Sequence, residues 1–187
     1  MKVLSRFMGD GLLLEPRVHE DGRGWFYESW NERDFRELVP QAGVFTQDNH
    51  SRSAHGVLRG LHYQETKPQG KLVRVTVGEI FDVVVDLRED STAFGKWVGF
   101  KLSAENKRIL WVPPGFAHGF LTLDNETEVQ YKTTDYYAPD DQRTIAWNDA
   151  DIGVSWPIAG EPILSSADQA GRRLRELFPE HFRAKTA

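Results

Sequence analysis

Side chains able to move protons or hold anions crowd into two stretches of this sequence. The first runs Phe45-Thr-Gln-Asp-Asn-His-Ser51, then Gly56-Val-Leu-Arg-Gly-Leu-His-Tyr-Gln64, then Gln69-Gly-Lys71. Amides, an arginine, a lysine and two histidines are interleaved there with apolar residues at strand spacing. The second, Pro113-Pro-Gly-Phe-Ala-His-Gly-Phe120, places His118 just after a Gly/Pro turn that leads into a strand. An imidazole, with an ordinary pKa near ~6.5, suits proton abstraction at neutral pH, and an arginine fork suits phosphate oxygens. Each residue also has an ordinary structural role open to it. His62 fits a satisfied histidine inside a barrel, Tyr131 a strand tyrosine packed beside Val129, and Lys71 a solvated surface lysine. Asp168 fits an acid at a helix start, because Ser165-x-x-Asp168 has the spacing of a cap.

The elements that must position these groups are mostly strands. Between Phe45 and Trp147 short runs rich in Val, Ile, Phe, Tyr and Trp are separated by Gly, Pro, Asn and Asp. Lys71–Val77, Ile80–Leu87, Gly99–Leu102, Ile109–Val112, Gly119–Leu123 and Glu128–Thr133 read as strands, with Gly78-Glu79 as a tight hairpin turn. This pattern predicts an all-β sandwich or barrel. Short helices are expected at its edges, over Glu32–Leu38 and in the tail over about residues 166–178, where Ser165 and Asp168 supply cap chemistry. Strand alternation puts Lys71 on one face with Val73, Val75 and Val77, so the ammonium points inward if the valines do, and it then wants an anionic or polar partner. Gln47 and Asn49 share a face by the same rule. Arg59 and His62 have opposite parity, so both reach one pocket only if the strand bulges, with Gly60 the residue that can supply the bulge.

Composition bounds the function classes. At 187 residues the chain is the size of one domain, residues 1–187, with no repeat or linker dividing it. A net charge of -5 gives no general attraction to nucleic acid or an anionic membrane, so an anionic ligand must be held by a few placed cations. Cysteine is absent, which excludes disulfides, thiolate nucleophiles and iron–sulfur ligation. No apolar run approaches the ~20 residues of a membrane helix, and Met1 to Asp10 lacks the apolar stretch of a signal peptide. A cytoplasmic protein is expected, without nucleic-acid or membrane partners.

The Pro-x-Gly-x-x-His pattern ending at His118 resembles the second motif of the cupin β-barrel superfamily, whose histidine often binds metal. The first cupin motif usually adds a His-x-His pair and a Glu, whereas here the corresponding stretch reads Leu61-His62-Tyr63-Gln64. The ligand shell is underfilled, and no metal is expected. The resemblance then narrows. Gln47-Asp-Asn-His-Ser51, Gly56 to Gln64, Gln69-Gly-Lys-Leu-Val-Arg-Val75, Gly115-Phe-Ala-His-Gly-Phe120, Val129-Gln-Tyr-Lys132 and Ile145-Ala-Trp-Asn-Asp149 are similar, in order, to the dTDP-4-dehydrorhamnose 3,5-epimerase family.

That resemblance implies a cupin-like jelly-roll and a cofactor-independent isomerase acting on a dTDP-sugar with a ketone at C4. It implies His62 as base, Asp168 as the carboxylate orienting it, Tyr131 as general acid and Lys71 beside the C4 oxygen. Arg23, Glu28, Gln47, Asn49, Arg59 and His118 are implied as substrate-binding residues. It also implies a homodimer in which N-terminal strands cross to the neighbouring subunit. Two positions depart from the family pattern: Gln142 stands where Glu is common, and Ala167 where Lys is usual. The alternatives are inversion of one carbon only, a metal-dependent cupin, and a non-catalytic barrel that binds nucleotide sugars. The last has no need of a base and an acid on opposite faces of a ligand.

Overall fold

The computed structural model describes residues 1–183. It opens with four strands that the sequence pattern did not announce, β1 (Lys2–Phe7), β2 (Gly11–Glu15), β3 (Val18–Asp21) and β4 (Gly24–Tyr27). Helix α1 (Glu32–Leu38) has the expected span, and its start is fixed by Asn31, whose side chain accepts from the amides of Arg33 and Asp34 at 3.1 and 3.3 Å. The site-bearing strands follow: β5 (Gln47–Ser53), β6 (Leu58–Gln64), β7 (Lys71–Val77), β8 (Glu79–Asp86) and β9 (Trp97–Ser103). The last strands are β10 (Ile109–Val112), β11 (Phe116–Thr122), β12 (Thr127–Thr133) and β13 (Gln142–Thr144), before α2 (Ser166–Gln169) and α3 (Leu174–Leu177). No helix among the described residues is long and apolar enough to cross a membrane.

The strands form a six-stranded sheet in the order β1-β2-β10-β7-β12-β5 and a five-stranded sheet in the order β13-β6-β11-β8-β9. Their inner faces meet through Val73, Val75, Leu110 and Val129 of the first sheet and Ile80, Val84, Phe116 and Phe120 of the second. The outer faces are covered too. Phe35 of α1 and Val39 just beyond it pack with Leu14, Leu72 and Trp111, while Ile152 and Leu174 pack with Leu61, Val83 and Val85. Double-sided burial explains why β10, Ile-Leu-Trp-Val, and Val83–Val85 of β8 are continuously apolar rather than alternating.

Two expectations fail here for identifiable reasons. Gly78-Glu79 does not close a hairpin, because β7 and β8 belong to different sheets and the turn carries the chain across the sandwich. Gly78 has φ of +75°, and a Cβ there would sit 2.6 Å from the Glu126 carbonyl oxygen, so glycine is required at the crossing. The tail is not one helix over 166–178. Between α2 and α3 the chain bonds sideways: the Arg172 amide donates to the Thr144 carbonyl at 3.0 Å, and the Ala146 amide to the Arg172 carbonyl at 2.9 Å. A Cβ on Gly171 would lie 2.9 Å from the Ala146 backbone. Local helix signals at each end were overridden in the middle by a backbone pairing available only in the folded chain.

Candidate active site

A cleft of about 390 Å³ opens between the two sheets at one end of the sandwich. Inward-facing side chains of β5, β6, β7, β11 and β12 line it, joined by the capped start of α2. Gln47, Asn49, Arg59, His62, Lys71, His118, Tyr131 and Asp168 are all on its wall. Eight of the ten expected site residues are therefore brought together.

The expected bulge is what allows Arg59 and His62 to share this wall. On β11 and β6, His118 pairs with His62 but Phe120 pairs with Arg59, so two steps along β11 match three along β6. Gly60, with φ of +120°, sits in the irregularity, and a Cβ there would lie 2.6 Å from Gly119 Cα. Strand parity shifts by one across the bulge, and both side chains turn inward.

His62 Nε2 lies 2.6 Å from Asp168 Oδ1, with the imidazole 28% exposed and the carboxylate buried. An ionised carboxylate only accepts hydrogen bonds, so Nε2 carries the proton and Nδ1 keeps the lone pair that makes the ring a base. Asp168 is itself held. The Gly60 amide donates to Oδ1 at 3.1 Å and the Ser165 hydroxyl to Oδ2 at 2.6 Å. Burial alone would raise this carboxyl, but the hydrogen bonds from His62, Ser165 and Gly60 outweigh it and hold the pKa below the usual range. Ser165 also accepts from the Asp168 amide at 3.2 Å. Ser165 thus caps α2 and, through the same hydroxyl, holds the Asp168 carboxylate that faces the His62 imidazole.

Lys71 is buried, as strand parity with Val73 and Val75 requires, and its Nζ donates to the His62 carbonyl at 3.4 Å. Burial lowers its pKa from 10.5 to about 8, against the opposing pull of Asp82. The ammonium is thus a cation with little water around it, placed where negative charge can be met. Tyr131 is pushed above its ordinary phenol pKa by burial, with the Arg59 charge opposing, so it stays a protonated donor through the neutral range.

One group of this site went unnoticed in the sequence. Asp82 is fully buried and both its oxygens lie 2.9 Å from His118 Nε2, forming a second histidine–carboxylate pair. Burial raises the Asp82 carboxyl, while His118 and Lys71 oppose that rise. Its signal was present: Asp82 interrupts the run Ile80-Phe-Asp-Val-Val-Val85, and a carboxylate inside an otherwise apolar strand needs a partner. Gln47 donates to Asn49 Oδ1 at 2.8 Å and accepts from the Tyr137 amide at 3.0 Å, which fixes two wall amides. Arg59 donates through Nε to Ser53 Oγ at 3.0 Å. Gln142 and Ala167 also line the cleft.

Arg23 and Glu28 do not reach this cleft within the chain. Strands β3 and β4 pair only with each other, so no register ties them to either sheet. Arg23 is 91% exposed and pairs with Asp21, and Glu28 accepts from the Asn31 amide at 2.8 Å. The same hairpin exposes Trp25 and Phe26. Among the described residues no three His, Asp or Glu side chains are grouped as metal ligands.

Comparison with known proteins places this geometry. The profile of the dTDP-4-dehydrorhamnose 3,5-epimerase family matches residues 8–176. A dTDP-4-dehydrorhamnose 3,5-epimerase of Pseudomonas aeruginosa is 55% identical over 172 residues, covering 92% of this chain and 95% of its own. The crystal structure of a dTDP-6-deoxy-D-glucose-3,5-epimerase from Legionella pneumophila with dTDP-4-keto-L-rhamnose superimposes with a TM-score of 0.92 at 44% identity, covering 96% of this chain and 95% of that one. A 3'-monoepimerase from Streptomyces bikiniensis with dTDP-quinovose is also similar, at 30% identity and a TM-score of 0.86, covering 93% and 89%.

Proposed function

We propose a residue-level mechanism from one premise: the chain belongs to the dTDP-4-dehydrorhamnose 3,5-epimerase family and is an isomerase with a cupin-like all-β fold. Its reaction is the inversion of C3 and C5 of dTDP-4-dehydro-6-deoxyglucose, giving dTDP-4-dehydrorhamnose. The C4 ketone acidifies the C–H bonds at C3 and at C5, and both carbons pass through an enolate on the same oxygen. One group that stabilises that oxygen therefore serves both inversions.

His62 Nδ1 takes the proton, and Asp168 stabilises the imidazolium that forms. The Lys71 ammonium faces the C4 oxygen and stabilises the charge that develops there, in a dry cleft where such an interaction is strong. Tyr131 delivers a proton to the opposite face of the carbon. Its phenolate is reprotonated from solvent, and the proton on His62 is lost to solvent, so the enzyme returns to its starting state. Gln47, Asn49, Arg59 and His118 hold the sugar and its diphosphate. The observation that carries the assignment is the His62–Asp168 pair sharing one wall with a buried cation. In heavy water, deuterium is expected at both C3 and C5 of the substrate and at neither in His62→Ala. Exchange at one carbon in the wild type would break the double inversion, and exchange persisting in His62→Ala would break the assignment of the base.

Arg23 and Glu28 enter the mechanism through a homodimer in which the β3–β4 hairpin of one protomer reaches the cleft of its partner. What supports this is a projecting hairpin with exposed Trp25, Phe26 and Arg23 and no pairing to its own sheets. Arg23→Ala and His62→Ala proteins, each impaired alone, are expected to recover part of the activity when unfolded and refolded together. No recovery would place Arg23 in its own chain's site or outside any site.

A further inference from the structure

We infer that Gln64 is a positioning residue for the epimerisation: its side-chain amide clamps the loop between β12 and β13 and so sets Tyr137 on the cleft wall beside Tyr131. The inference rests on the epimerase reading above and adds to it a residue outside the cleft wall.

Over residues 135–138 this loop pairs with no strand among the described residues, and it has little apolar burial to hold it. Tyr136 is 66% exposed and Tyr137 51%. Glutamine side chains hold its backbone instead. Gln69 Nε2 donates to the Asp135 carbonyl at 2.8 Å, and the Tyr137 amide donates to Gln47 Oε1 at 3.0 Å. Gln64 contributes most. Its Nε2 donates to the Lys67 carbonyl at 2.8 Å and to the Tyr136 carbonyl at 3.4 Å, and its Oε1 accepts from the Ala138 amide at 2.9 Å. A primary amide carries donors and an acceptor together, so it bonds a peptide carbonyl and a peptide N–H at once, as a neighbouring strand would.

Gln64 is buried and is not itself on the cleft wall, which Tyr137 and Gln142 reach. Burying an amide is costly unless its bonds are made. Those that Gln64 makes go to loop backbone on either side of it, so what the residue fixes is the loop. Tyr137 is the side chain this places. Burial raises the Tyr131 phenol, Arg59 opposes, and Tyr137 raises it further, which puts the two phenols close together. A segment with so few buried contacts opens easily unless side-chain bonds select one conformation. A wall ordered in advance spares the ligand the cost of ordering it.

The test is Gln64→Met, which keeps the length of the side chain and removes its hydrogen bonds, alone and combined with Tyr137→Ala. KM for the 4-keto sugar nucleotide is expected to rise about tenfold, as for the loss of one or two hydrogen bonds, with kcat within about threefold of wild type. Affinity for dTDP-glucose, which lacks the ketone and cannot react, should fall by the same factor in calorimetry. In the Tyr137→Ala background the same substitution should cost about twofold or less, because the residue through which it acts is gone. Hydrogen exchange at the amides of residues 136–138 should quicken while β6 and β12 stay protected. Unchanged KM and dTDP-glucose affinity in Gln64→Met overturn the inference, as does a tenfold loss that persists in the Tyr137→Ala background. A lower melting temperature with both constants unchanged overturns it too, by making Gln64 a support of the fold alone. Should Gln64→Met fail to fold, Gln64→Glu carries the same cycle and the same outcomes decide, since it keeps the shape and the bond from Ala138 but, ionised, cannot donate to either carbonyl. Wild-type protein that binds dTDP-glucose but does not epimerise the 4-keto sugar would sink the reaction, and the binding cycle would still decide the role of Gln64.

Discussion

Two histidine–carboxylate pairs stand opposite each other across β6 and β11, His62 with Asp168 and His118 with Asp82, and their surroundings divide the labour between them. Both imidazoles use Nε2 toward the acid. The His62 ring is 28% exposed, and its carboxylate is stabilised as an anion by Ser165 and the Gly60 amide. The His118 ring is 8% exposed, and burial raises its carboxylate. A base must meet substrate and exchange its proton, which the first environment permits. The second pair is buried, with only His118 on the cleft wall, which suits holding a group in place as proposed above. Identical residue types thus acquire different chemistry from solvation and from the hydrogen bonds offered to the carboxylate.

Removing each acid's charge separates the two pairs by the largest expected effect. Asp168→Asn is expected to lower kcat by about 10²–10⁴-fold with little change in melting temperature, because an amide facing Nε2 moves the imidazole proton to Nδ1 and removes the basic lone pair. Asp82→Asn is expected to cost only about tenfold, mostly in KM, as for a group that positions rather than reacts. Equal losses in kcat would show that both pairs do acid–base work, and the division proposed here would fall.

A smaller effect lies in the pH profile, through the lysine next to both pairs. Burial puts Lys71 at about 8, so kcat/KM is expected to fall as pH rises through 8 and the ammonium is lost. Lys71→Arg moves that limb upward, while Asp82→Asn, by removing the nearby negative charge, moves it downward. An alkaline limb unaffected by either substitution would separate Lys71 from catalysis. Stability runs the other way. The folded pKa lies below the unfolded value of 10.5, so burying the charged form is a penalty that is fully present below pH 8 and relieved between about 8 and 10.5. The relief is on the order of 3 kcal/mol.

The smallest effect is expected at Ser165. Ser165→Ala removes a helix cap worth about 1 kcal/mol and one of the bonds on Asp168. Activity should fall by less than in Asp168→Asn, and the melting temperature by more. Loss of stability without loss of activity would show that the Gly60 amide alone holds the carboxylate.

Much of this was legible because it depends on local pattern. The span of α1, β7 and β10 follows from a cap and from runs of β-branched and aromatic residues, and the shared face of Gln47 with Asn49 and of Lys71 with Val73 and Val75 follows from the two-residue period of a strand. The parity conflict between Arg59 and His62 even places a bulge at Gly60, where the register of β6 and β11 shifts. Asp82 could have been found by asking what an acid does within an apolar strand. Resemblance supplied the family and its reaction, which the comparisons show.

The all-β class and the residues that share a strand face were written in the sequence, since these are set by side-chain period and residue type, while the roles of the site residues came from the family resemblance. Only the tertiary structure decided which strands meet. It sent β7 and β8 to different sheets across Gly78, broke the tail at Arg172 to pair with Thr144 and Ala146, and brought Asp168 to a histidine 106 residues earlier. It also left Arg23 on the β3–β4 hairpin and Glu28 just after it, both off the wall of their own chain's cleft. Each of these depends on backbone groups and surfaces distant in sequence finding one another, and no local period encodes that.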